Sequence, residues 1–128
     1  MILLDHNITE GQSAQLRRWH IHFQQVGYEV GRPEWEDQQE ILRHLHQVKQ
    51  ATFFTRDLGF FRRRFCHPNY CLVVVTGLVL NTASLIRRLL RHPEFKTKAR
   101  RQGKVVKISS AKIAWWEISR DRQQHTTW

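Results

Sequence analysis

A chain of 128 residues, 41% of them hydrophobic, is long enough for one domain with a real core. Lys and Arg number 21 against 11 Asp and Glu, and the formal net charge of +10 suits a polyanion such as nucleic acid, with an acidic protein partner as the plainer alternative. The amino-terminal run "ILL" lacks a basic flank and a cleavage motif, no later run is long enough to span a membrane, and the two cysteines, Cys66 and Cys71, are too few for a disulfide framework or a zinc ribbon. Reduced thiols in a cytoplasmic protein are the expectation.

In chain order, residues 2–5 ("ILLD") read as a buried strand that ends in an acid. Leu16, Trp19, Phe23 and Val26 recur at helical spacing and predict a helix over 9–25, stopped by Gly27. "YEV" at 28–30 reads as a short second strand. A second helix is expected from Asp37, whose carboxylate can cap free amides, through Ile41, Leu42, Leu45 and Val48. "ATFFT" (51–55) is a third strand, closed by Arg56 and Asp57. "CLVVV" (71–75) is a β-branched run of the kind found in a central strand covered on both faces. Residues 81–92 form a helix capped by Asn81, and 104–109 with 112–119 form a hairpin across Ser110 and Ala111 at the sheet's edge. Residues 1–120 make the domain, and 121–128 read as a flexible tail.

Alternating strands and helices imply an α/β fold whose mainly parallel sheet carries helices on both faces and ends in a C-terminal β-hairpin. In such sheets ligands collect beyond the carboxyl ends of the strands. Asp5, Asp57 and an acid of the second helix start, Asp37 or Glu40, fall near that edge. Convergent carboxylates repel unless a divalent cation sits among them, and oxygen ligands favour Mg²⁺ or Mn²⁺. Each acid also has a plainer role, as a turn former at a strand end or as a helix cap.

"LLDHN", then "EDQQEIL", then "FFTRDLGF" followed by an apolar strand resembles the small PIN-like ribonuclease family that includes many VapC-like toxins, whose members carry "LLDEN", "DEEIL" and "TRDxDF" patterns. The resemblance covers nearly the whole chain. It implies a PIN-like three-layer fold, a metal-dependent endoribonuclease that is the toxin of a toxin-antitoxin pair, and a small antitoxin as partner, with a homodimer as a further option. It implies that Asp5, Asp57, Asp37 and Glu40 are catalytic and that Asp5, Asp57 and Asp37 bind Mg or Mn. Asn7, Arg56, Arg62 and Arg63 would hold RNA. His6 stands where the family often has Glu, and Gly59 where it often has a second acid, which lowers the ligand charge. The competing implication is a PIN-like module that binds RNA or an acidic partner without cutting.

Arg56, Arg62, Arg63 and Arg64 crowd around Asp57, and residues 87–107 are densely basic with Glu94 as their acid, a pattern that fits a phosphate backbone. Trp115 and Trp116 should point to opposite faces of a strand, one of them to the core. Phe53, Phe54, Phe60 and Phe61 read as core. His20 with His22 and His44 with His46 are spaced i, i+2 and, on helices, would not share a face, which argues against a histidine metal site.

Overall fold

The structure is a computed structural model that describes residues 1–30 and 38–128. A seven-stranded sheet runs through it in the order β2-β1-β3-β4-β5-β6-β7. The strands are β1 (Ile2–Leu4), β2 (Gln24–Gln25), β3 (Ala51–Thr55), β4 (Tyr70–Val75), β5 (Lys104–Ile108), β6 (Lys112–Glu117) and β7 (Gln124–Thr127). Strands β1 to β5 are mutually parallel, while β6 and β7 are antiparallel to their neighbours. The helices are α1 (Glu10–Arg18), α2 (Gln38–Gln47), α3 (Thr82–Arg91) and α4 (Lys98–Arg101).

Alternation along the strands sorts the core into two clusters. Leu4, Phe54, Val73 and Val106 meet Leu16 of α1 and Ala83, Ile86 and Leu89 of α3 on one face. Leu3, Phe53, Leu72 and Val105 meet Ile41 and Leu45 of α2 and Phe60 on the other. The result is a three-layer α/β architecture, and every residue of β3 and β4 is buried, as strands covered on both faces must be. Among the described residues no helix is long and apolar enough to cross a membrane.

Four sequence expectations change. Helix α1 stops at Arg18, because His20 takes a left-handed φ of 60°. The chain beyond it is extended: Phe23 packs with the α1/α3 cluster and Val26 with the α2 cluster, so their spacing of three marks opposite sides of an extended segment and not one helical face. The second strand is accordingly Gln24–Gln25, and residues 27–29 form a turn closed by a Val26–Val30 bridge. The expected tail contains β7, paired with β6, which moves the β5–β6 hairpin inside the sheet. Finally, Asn81 makes no capping bond to α3; Gln12 Oε1 accepts from the amide of Ala83 at 2.9 Å and satisfies that helix start from α1. Asp37, expected as the cap of α2, lies outside the described residues.

Candidate functional site at the carboxyl edge of the sheet

Asp5 follows β1 directly, and its amide donates to the carbonyl of Phe54 at 2.8 Å, so the parallel ladder carries the acid to the carboxyl edge beside the end of β3. Its side chain is 2% exposed. Oδ2 accepts from Thr55 Oγ1 at 2.6 Å, Oδ1 accepts from the amide of His6 at 2.8 Å, and His6 Nδ1 lies 2.8 Å from the same Oδ1. A buried carboxylate needs donors such as the Thr55 hydroxyl and the His6 amide, because it has left water behind. The carboxamide of Gln25 donates to the carbonyls of Asp5 (3.1 Å) and Ile8 (2.9 Å), which fixes the loop that carries the acid.

Thr55 is the hub. While donating to Asp5, its hydroxyl accepts from Asn7 Nδ2 at 3.3 Å and from the amide of Asp57 at 3.0 Å, which fills its full capacity of one donor and two acceptors. Asn7 Oδ1 in turn accepts from the amide of Arg56 at 3.1 Å. Asp5, Asn7, Thr55, Arg56 and Asp57 thus form one connected network. Sequence reasoning passed over Thr55, since a threonine in "ATFFT" reads as an ordinary strand former; its position next to an acid at a strand end was the available signal.

Asp57 is exposed, and its Oδ1 accepts from the amide of Gly59 at 2.8 Å, capping the 3-10 turn Leu58–Phe60. Its Oδ2 accepts no hydrogen bond among the described residues. The guanidinium of Arg56, expected to hold substrate, is engaged: Nη1 donates to Thr82 Oγ1 at 3.0 Å and Nη2 to the carbonyl of Gly77, tying β3 to the start of α3. Arg62 and Arg63 line, with Arg64, a cleft of about 380 Å³. Arg63 also pairs with Asp121 at 2.8 Å, an exposed contact of small energetic weight.

Glu40 does not join this network. It lines a separate cleft of about 200 Å³ with Arg43, His44 and Gln47. Gln38, two residues earlier and so on another side of α2, faces Gly59 instead: a Cβ at Gly59 would lie 2.2 Å from Gln38 Nε2 and 3.0 Å from Asp57 Oδ1. The space where the family pattern places an acid is filled here by an amide.

Beside the Asp57 turn, Leu58, Thr76, Lys107, Ser109, Lys112 and Ala114 enclose a further cleft of about 270 Å³, with Lys107 Nζ 4.8 Å above the ring of Phe61. Lys107 belongs to the basic stretch 87–107 read from the sequence, whereas Lys112 was not singled out there. Both tryptophans of β6 pack, Trp115 buried among the α1/α3 cluster and Trp116 partly buried on the other side. Among the described residues no group of three His, Cys, Asp or Glu side chains stands in a metal-binding arrangement. Compared with known proteins, the chain matches no family model, no curated protein and no solved structure.

Proposed function

We propose that this protein is a metal-dependent ribonuclease of PIN-like fold that hydrolyses RNA phosphodiester bonds, with Asp5 and Asp57 at its centre. One observation carries the reading: the two aspartates end neighbouring parallel strands at the carboxyl edge and are joined through the hydroxyl of Thr55. The donor set suits Mg²⁺ or Mn²⁺, because both side chains offer hard oxygen atoms and Mg²⁺ commonly takes one or two protein carboxylates while water and phosphate fill its other positions. Asp5 and Asp57 would hold the ion, with Asp37 as the third ligand that the sequence resemblance implies. When bound, the ion supplies charge stabilisation at the phosphate and a more acidic water.

The chain's own residues do the positioning. Asp5 is locked by Thr55 and the His6 amide, so its carboxylate keeps one orientation. Asp57 is exposed, and while Oδ1 anchors its turn, Oδ2 accepts no hydrogen bond among the described residues. Asn7 and Arg56 brace the network, and Arg62 with Arg63 offer guanidinium groups to phosphate from the neighbouring cleft. A toxin role with a small antitoxin over the basic cleft, in the cytoplasm, follows from the same reading.

The test is incubation with single-stranded RNA and Mg²⁺ or Mn²⁺, with EDTA in parallel and Asp57→Asn as the variant. Cleavage should stop with EDTA and fall at least about a hundredfold in the variant; cleavage that survives both sinks the proposal. A second reading, a module that binds RNA or an acidic partner without cutting, draws on the Gln38 amide beside Gly59 in place of a carboxylate. Absence of cleavage with retained RNA binding would establish it.

A further inference from the structure

A third basic cleft, of about 300 Å³, lies on the helical face and is lined by Trp19, Ser84, Arg87, Arg88 and Arg91. Residues 84, 87, 88 and 91 follow i, i+3, i+4, i+7 spacing and form the outer stripe of α3, opposite the buried Leu85, Ile86 and Leu89. The guanidinium of Arg87 sits 4.5 Å above the ring of Trp19, and that of Arg88 sits 4.4 Å above the ring of Trp128. Arg87 Nε is buried and has no hydrogen-bond partner among the described residues. The ion pairs of the described residues join Arg63 to Asp121, and Lys104 and Arg120 to Glu117, so none of them neutralises this stripe.

Like charges one helical turn apart repel one another, and among the described residues no ion pair offsets the cost. The indoles hold the guanidinium groups of Arg87 and Arg88 by their faces, a geometry that pre-organises them for bidentate donation to phosphate. A lone phosphate would use one such group, whereas α3 spaces its cations over successive turns. The helix that carries the stripe begins where Arg56 bonds Thr82 at the carboxyl edge, and Arg91 lies about 13 Å further along it.

We infer that the Trp19–Arg87–Arg88–Arg91 cleft binds the phosphodiester backbone of a single-stranded nucleic acid, as a track leading away from the carboxyl edge. The track stands whether or not Asp5 and Asp57 cut RNA.

The experiment measures binding alone. Fluorescence anisotropy of a labelled single-stranded RNA, and of DNA of the same sequence, is followed in EDTA over a series of salt concentrations, for the wild type and for R87Q/R88Q/R91Q. The variant should bind at least about tenfold more weakly, and its log-affinity against log-salt slope should shrink by about 2, from three phosphate contacts at roughly 0.7 each. R87K/R88K/R91K should keep the slope but lose affinity several-fold, because the bidentate, stacked geometry is gone. RNA and DNA falling together supports a backbone site, and a fall confined to RNA supports one that also reads the 2′-hydroxyl. Thermal melts check folding; if the glutamine variant does not fold, the lysine variant decides alone. Unchanged affinity and slope for both nucleic acids overturns the inference. So does a loss of polyglutamate binding with nucleic-acid binding intact, which would assign the cleft to an acidic protein.

Discussion

At the amino end of β3 the hydroxyl of Thr52 accepts from Arg101 Nε at 2.9 Å, and at the carboxyl end the hydroxyl of Thr55 donates to Asp5 Oδ2 at 2.6 Å. Each threonine is fully buried and serves a buried charge, Arg101 being 5% and Asp5 2% exposed. The surroundings separate them. Arg101 gives a second hydrogen bond to the carbonyl of Phe95 at 2.9 Å and has no carboxylate partner among the described residues, and its neighbour Cys71 is a thiol that burial pushes up to about 12. That end is sealed. Asp5, by contrast, is connected through Thr55 to Asn7 and to the exposed Asp57. A buried charge is therefore no sign of chemistry by itself; what distinguishes the carboxyl end is a hydrogen-bonded path from the charge to solvent.

The harshest trial of that contrast is Arg101→Ala, which removes both guanidinium bonds, strands the Thr52 hydroxyl and the Phe95 carbonyl, and leaves a void. It should cost about 3 kcal/mol in urea denaturation while RNA cleavage per folded molecule stays unchanged. Thr52→Val and Thr55→Val should each cost about 2 kcal/mol, because each leaves a buried charged group short of a partner. Cleavage should fall in Thr55→Val alone. Equal activity in the pair would erase the difference between the two ends.

Gly59→Asp adds a carboxylate beside Asp57, and Gln38 can swing its terminal amide aside to admit it. Without metal the melting temperature should drop by an amount worth about 1 kcal/mol, through like-charge repulsion, and added Mg²⁺ should narrow that gap. No response to Mg²⁺ would count against Asp57 as a ligand.

The smallest effect is at the amino end, where His67 stacks on Tyr70 with ring centroids 4.9 Å apart and His46 lies 4.4 Å away. Burial, helped by His46, lowers the His67 pKa from its ordinary 6.5. The unfolded chain therefore takes up its proton first as pH falls through about 6.5, so stability drops from there towards the lower folded value. His67→Phe keeps a ring and removes that titration. Its urea midpoint should decline less than the wild type's between about pH 7 and about pH 5.

Legibility in the sequence followed local signal. Strands β3 and β4 stand where their apolar runs predict, β4 starting one residue early at Tyr70, because burial on both faces leaves an unbroken run. The end of α1 was hidden because Phe23 and Val26 keep a spacing that a helix and an extended segment straddling two clusters share. "QHTT" of β7 has no apolar alternation, and it holds its place through ladder bonds to β6. At the site, Asp5 and Asp57 were readable from their strand ends. The hub role of Thr55 and the seating of Gln38 against Gly59 arise only when distant segments meet.

From β4 onward, each strand lies beside the one made before it. When β4, β5, β6 and β7 leave the ribosome, the edge that each must join already exists, and only β1 waits for partners still to be synthesised. The growing sheet thus exposes one fresh edge at a time, covered by the next segment to emerge, which shortens the interval in which an unpaired strand is open to a wrong neighbour.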